Sequence, residues 1–121
     1  MGTWGYGPFD DDIALEWVLE LEDARDWSVV EGALKTVAAT PLDVYLQPPD
    51  AQVAWAAAAT VAAVEHPEVA LPDRVAAWLR AHRETRPPEL RPLAAEALQR
   101  VLAGKPKPEQ HDLRELAELL G

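Results

Sequence analysis

The segment Ala51–His66, AQVAWAAAATVAAVEH, decides the fold that this sequence can adopt. It contains eight alanines, and before the closing Glu65 and His66 its only polar residues are Gln52 and Thr60. A helix that is apolar on almost every side is normally buried among other helices. The eight alanines would also let neighbouring helices approach closely. We therefore predict that this segment is the central helix of a bundle, with Asp50 as its N-cap.

Amphipathic patterns surround this central segment and are separated by prolines. Their apolar residues recur at spacings of three and four, which is typical of helices that bury one face. Ser28 and Glu31 have the spacing of a capping box. The sequence therefore predicts one all-α domain, residues 1–121, of five or six short helices with Trp17, Trp55 and Trp78 in the core. The predicted flanking helices cover residues 11–23, 28–39, 72–84, 93–103 and 109–120.

Two proline-containing segments are predicted to connect these helices. Leu42–Pro49 has β-branched and aromatic residues but no second strand to pair with, so we interpret it as an extended connector. Residues 105–108, KPKP, form a linker before the C-terminal helix. The leucine stripe of that helix could dock on its own domain or on a second copy, and the first arrangement, a monomer, is favoured over a homodimer. The stripe consists of Leu113, Leu116 and Leu120.

The N-terminal residues MGTWGYGPFDDD combine glycines, aromatic residues and three consecutive aspartates. Glycine permits backbone conformations that other residues disfavour, and aromatic side chains supply apolar area for packing. We predict that residues 1–10 form a loop packed on the domain by Trp4 and Phe9. Two roles stay open, a recognition surface or a purely structural core and cap. The candidate binding residues are Trp4, Tyr6, Asp10, Asp11, Asp12, Glu16 and Glu20.

The net charge of −10 lies entirely in the first half of the chain. Residues 1–66 contain twelve Asp and Glu against two Lys and Arg, whereas residues 67–121 contain nine of each. This balance argues against nucleic acid as a partner. We expect a non-enzymatic interaction or immunity-like module that binds a basic protein, since clustered carboxylates steer cationic partners. The alternative is that the charge only maintains solubility.

Known catalytic motifs are missing from the sequence. The histidines His66, His82 and His111 are scattered, and no phosphate-binding loop or nucleophile elbow occurs. We therefore predict no catalytic residue, cofactor or metal site. The alternative is a small metal-dependent or carboxylate-based enzyme that uses Asp12, Glu16 and Glu20 with His66 or His111.

The location of the protein is predicted from its apolar runs and its cysteine content. The longest nearly uncharged run, residues 51–64, has fourteen residues, fewer than the roughly 20 that a membrane helix needs. The chain has no cysteine, and we see no secretion signal. We expect a cytoplasmic protein with no membrane partner.

Three stretches resemble a family of small bacterial proteins known as domain of unknown function 4259. They are the opening MGTWGYGPFDDDIALEWVLEL, the middle AWAAAATVAAVEHP and the closing LRELAELL. Asp11 stands where the family more usually has asparagine, and Ala117 stands where a tryptophan is expected. The resemblance implies a small helical protein and assigns no catalytic residue.

Overall fold

A computed structural model describes Phe9, residues 12–104 and residues 111–120, without the side chains of residues 111 and 112. These residues form an all-α fold, as predicted, with no β-strand among them. A 3-10 turn, Arg83–Thr85, follows the fourth helix. The helices are α1 (Asp12–Asp23), α2 (Ser28–Ala38), α3 (Pro48–Ala63), α4 (Asp73–His82), α5 (Leu90–Ala103) and α6 (His111–Leu120).

Helix α3 is the centre of the bundle, which confirms the prediction from its alanines. It packs against α1, α2, α5 and α6, and ten of its residues are buried. Thr60 is its only buried polar residue, and its hydroxyl donates a hydrogen bond of 2.9 Å to the carbonyl oxygen of Ala56. The single-domain arrangement follows from this shared core.

The N-cap of α2 and the start of α3 differ from those predicted. Helix α3 begins at Pro48 with Gln47 as its N-cap, so Asp50 lies inside the first turn. Proline suits the first helical position because its φ is already fixed near the helical value. Ser28 is the first residue of α2 and not its cap. Instead, the carboxylate of Asp26 accepts a hydrogen bond from the Ser28 N–H at 3.0 Å.

The predicted capping box is therefore wrong. In a capping box the side chain of Glu31 would accept the hydrogen bond of the Ser28 N–H, but that N–H is bonded to Asp26. Hydrogen bonds from Ser28 hold the pKa of the Asp26 carboxyl below its ordinary value. Hydrogen bonding to the charged form of an acid stabilises that form.

The tryptophans divide into buried and half-buried residues. Trp17 and Trp78 lie in the core, but Trp55 is only partly buried, so its predicted core position is wrong. Trp27, which the sequence analysis did not select, is buried instead. The rings of Trp27 and Trp78 meet edge to face with 4.9 Å between their centroids.

Both of these indole N–H groups bind backbone carbonyls across the fold. Trp27 donates to the carbonyl of His82 at 2.9 Å, and Trp78 donates to the carbonyl of Ala24 at 3.0 Å. The two bonds join the loop between α1 and α2 to helix α4.

The C-terminal helix docks on its own chain. Leu113, Leu116 and Leu120 are all buried, and α6 packs against α5 and α3. The predicted linker, residues 105–108, and the predicted start of this helix at Glu109 lie outside the described residues.

Arginines of the second half donate to carbonyl groups at helix ends. Arg83 and Arg86 donate to the carbonyls of Val64 and Val61 at the end of α3. Arg91 donates to the Leu120 carbonyl at 3.0 Å and also forms an ion pair with Glu65 at 2.9 Å. The last carbonyls of a helix have no partner within the helix, so these cations complete the ends of α3 and α6.

Arg100 holds the connector between α2 and α3. Its guanidinium donates to the carbonyls of Thr40, Pro41 and Val44 at 2.9, 3.1 and 2.6 Å. The connector contains turns and no strand, in agreement with the absence of a pairing partner in the sequence. Among the described helices, none is both long and apolar enough to cross a membrane.

Candidate functional site

The outer face of α1 combines free carboxylates with exposed leucines. Asp12, Glu16 and Glu20 recur every four residues and are exposed to solvent. Leu15 and Leu19 lie beside them and are 49% and 53% exposed. Within the described part of the chain, none of these three carboxylates forms an ion pair. The face therefore offers apolar area and uncompensated negative charge together.

A groove of about 470 Å³ runs between α1 and α2, next to this acidic face. Glu16 and Glu20 line it on the α1 side, and Ser28 and Thr36 line it on the α2 side. Between them lies Gly32, where an added Cβ would have no other atom within 4 Å. The missing side chain of Gly32 thus leaves part of the groove open. We call this feature the α1–α2 groove.

Trp17 lines the α1–α2 groove, and its indole nitrogen differs from those of the other buried tryptophans. Its side chain is buried, with 4% of the residue exposed. Its indole Nε1 is the only buried side-chain nitrogen or oxygen without a hydrogen-bond partner in the described part of the chain. Leaving a buried donor unpaired costs about 1–3 kcal/mol. The other buried indoles, Trp27 and Trp78, carry no such cost, because both donate to carbonyls.

The structure brings together three of the predicted binding residues and leaves four outside its description. Asp12, Glu16 and Glu20 share the outer face of α1. Trp4, Tyr6, Asp10 and Asp11 lie outside the described residues, as does most of the predicted 1–10 loop. Phe9 is the described residue of that segment, and it is buried in the core.

The histidines considered for an enzymatic site lie elsewhere. His66 follows α3, where its Nε2 donates to the Leu119 carbonyl at 3.1 Å and its Nδ1 is 3.5 Å from the Glu68 carboxylate. The side chain of His111 lies outside the described residues. Across residues 12–104 and the described part of α6, no three His, Asp or Glu side chains group closely enough to hold a metal ion.

Sequence reasoning missed the leucines and the glycine of this site, although both leave a signal. Leu15 and Leu19 follow the same four-residue spacing as the acidic stripe, so helical periodicity places them on the solvent side. Gly32 stands inside an otherwise regular helical pattern, where glycine lowers helix stability and often has a packing or functional reason. Both signals were available from the sequence alone.

Comparison with known proteins supports the family resemblance. The family model described as domain of unknown function (DUF4259) matches residues 2–118 of this chain. No curated protein and no solved structure gives a significant match. Because the family model covers nearly the whole sequence, the chain belongs to the DUF4259 family.

Proposed function

We propose that this protein is a non-enzymatic interaction module that binds a basic protein through the outer face of α1 and the α1–α2 groove. The observation that carries the proposal is the exposed pair Leu15 and Leu19 beside the unpaired carboxylates of Asp12, Glu16 and Glu20. Neutralisation of a basic nuclease or toxin, as immunity proteins perform it, would use this chemistry.

The two kinds of residue on α1 have complementary roles in such a complex. Carboxylates on a surface accelerate the encounter with a cationic partner and set its orientation. The leucines then lose contact with water, which contributes about 25 cal/mol for each Å² of apolar surface that becomes buried. A partner with basic residues around an apolar patch fits this face.

Among the described residues, no lysine or arginine forms an ion pair with Asp12, Glu16 or Glu20. Arginines of the second half instead donate to backbone carbonyls at the ends of α3 and α6 and between α2 and α3; they are Arg83, Arg86, Arg91 and Arg100. On α1 itself, Glu22 forms an ion pair with Arg74 at 3.2 Å. The acidic outer face therefore remains available for a partner.

Binding by matched variants tests this proposal. Wild-type protein, Glu16→Gln/Glu20→Gln and the control Glu84→Gln/Glu96→Gln are immobilised and exposed to lysate of the native host. Both pairs remove two exposed charges. A retained protein is identified, purified and titrated between about 50 and 150 mM salt, where screening of exposed charges increases.

We expect a basic protein that binds wild type and the control alike but binds the α1 variant about tenfold more weakly, which corresponds to about 1.4 kcal/mol. Its affinity for wild type should fall as the salt concentration rises. Equal affinity for all three proteins, or failure of the wild type to retain any basic protein, would contradict the proposal.

A further inference from the structure

A second groove lies on a different part of the fold, between α3, α6 and the segment that follows α3. Its volume is about 590 Å³, within the range of roughly 300–1,000 Å³ that is typical of ligand pockets. Trp55 and Ala59 of α3 line one side, and Leu116 and Leu119 of α6 line another. We call it the Trp55 groove.

The groove exists because a large residue is followed by a small one on the same helical face. Trp55 and Ala59 are four residues apart, so their side chains are neighbours on α3. Ala59 fills little space beside the indole, and Trp55 is left half-buried. An apolar surface with an accessible aromatic ring results.

The polar residues that line the Trp55 groove are all acidic in the described part of the chain. They are Glu68, Glu115 and Glu118, and no Lys or Arg joins them. Glu118 is exposed and forms no ion pair with another described residue. Glu68 faces His66 at 3.5 Å. An occupant of the groove therefore meets apolar walls and a negative rim.

We propose that the Trp55 groove binds an arginine or lysine side chain of a protein partner. The aliphatic stem of such a side chain lies along Ala59 and Leu116, as long cationic side chains lie on apolar surfaces elsewhere. The cationic head is attracted by the indole face of Trp55 and by the carboxylate of Glu118. This site uses helices other than the α1–α2 groove and does not depend on it.

Other occupants match the groove less well. An anion would be repelled by the carboxylates of the rim, and a wholly apolar segment would bring Glu118 out of water without supplying a cation for it. A small free cation would leave the apolar walls unused. Charge and apolar area together favour a basic side chain with an apolar neighbour.

The test uses a short acetylated and amidated peptide in which one arginine stands between two leucines. A second peptide carries citrulline, which has the same shape without the charge, and free spermidine serves as a small cation. Each is titrated into labelled full-length protein while the indole N–H signals are followed by NMR. The signal of Trp55 is assigned with Trp55→Phe.

We expect the arginine peptide to shift the Trp55 indole signal, while the signals of Trp27 and Trp78 stay in place because neither residue lines the Trp55 groove. Citrulline peptide and spermidine should bind at least about fivefold more weakly, since each lacks one of the two contacts. An unmoved Trp55 signal, or equal binding of arginine and citrulline peptides, would overturn the proposal. Tighter binding of spermidine would also overturn it and would indicate a small-cation site.

Two protein variants locate the binding. Ala70 lines the groove from an exposed position, so Ala70→Leu should fill the groove without disturbing the core. This variant should bind the arginine peptide at least about tenfold more weakly than wild type. Glu118→Gln should lower the affinity for the arginine peptide about two- to fivefold, the range for an exposed ion pair. The control Glu96→Gln, on α5 and outside the groove, should have no effect. Wild-type affinity in Ala70→Leu would contradict this location, whatever the α1 variants show.

Discussion

Helix α1 and the second half of the chain differ in how their charged and polar groups are bonded. In the second half, Arg91 and Arg100 donate to backbone carbonyls, and the indole N–H of Trp78 does the same. In the first half, Glu16 and Glu20 have no ion-pair partner among the described residues, and the indole N–H of Trp17 is buried without an acceptor. Polar groups of the second half bind distant carbonyls, several of them in the first half, whereas the carboxylates on the outer face of α1 form no ion pair with another described residue.

This difference explains how a strongly acidic chain can keep a localised negative surface. The second half has as many basic as acidic residues, but four of its arginines are bound to helix ends and to the connector. They contribute to stability through hydrogen bonds, and none of them forms an ion pair with Asp12, Glu16 or Glu20. We therefore expect substitutions of the side chains that donate to carbonyls to change stability strongly, and substitutions of the α1 carboxylates to change it little.

Arg100→Ala gives the largest expected loss of stability. The variant removes a cation that donates to three carbonyls of the connector, and hydrogen bonds to charged groups contribute about 1.5–3 kcal/mol each before solvent exposure reduces them. We expect a loss of about 2–4 kcal/mol in the free energy of unfolding, measured by urea denaturation. Arg80→Ala is the control, because Arg80 is exposed and forms no described contact. A loss below about 1 kcal/mol would show that the bonds of Arg100 contribute little to stability.

The second prediction compares a tryptophan whose indole N–H is hydrogen-bonded with one whose indole N–H is not. Trp78→Phe and Trp17→Phe each remove an indole N–H from a buried ring, but only the first leaves a carbonyl, that of Ala24, without its donor. Trp78→Phe should therefore cost about 1–3 kcal/mol more than Trp17→Phe. Denaturation of both variants under the same conditions checks the difference. Equal losses would mean that Trp17 has a partner in solution.

Gly32→Ala should stabilise the protein by up to about 1 kcal/mol. Alanine favours the helix over glycine by roughly this amount, and the added Cβ meets no other atom within 4 Å. Thermal unfolding should show a higher midpoint than wild type. A lower midpoint would show that the space above Gly32 is needed by the folded chain.

Glu16→Gln/Glu20→Gln should give the smallest change, within about 0.5 kcal/mol of wild type. Like charges four residues apart on a helix repel each other weakly, so the change should be a slight gain that disappears at high salt. Chemical denaturation at two salt concentrations measures it. A loss above about 1 kcal/mol would assign these carboxylates a structural role.

The sequence predicts the fold well where composition alone determines burial. The alanines of α3 can face any neighbour, so its central position follows from the sequence, and the four-residue spacing of the carboxylates on α1 fixes their common face. Helix starts are less predictable, because several residues compete for the same free amides. Pro48 moves the start of α3 ahead of Asp50, and Asp26 takes the Ser28 amide.

The grooves could not be predicted from the sequence, because they depend on what distant elements leave uncovered. Trp55 looks like a core residue by type and by its place in an apolar helix. Its exposure results from how α6 and the segment after α3 meet beside Ala59. The α1–α2 groove similarly needs the spacing between two helices as well as the absence of a side chain at Gly32.

We propose that the α1–α2 groove serves binding and is not needed for folding. The most direct measurement compares Gly32→Leu with Gly32→Ala, because both remove the glycine but only leucine fills the groove, and neither changes the charge. The affinity of each variant for the basic partner of the wild type is measured together with its thermal stability. We expect Gly32→Leu to remain at least as stable as wild type and to bind the partner at least about tenfold more weakly than Gly32→Ala, a difference of about 1.4 kcal/mol. Equal affinities in two stably folded variants would contradict it.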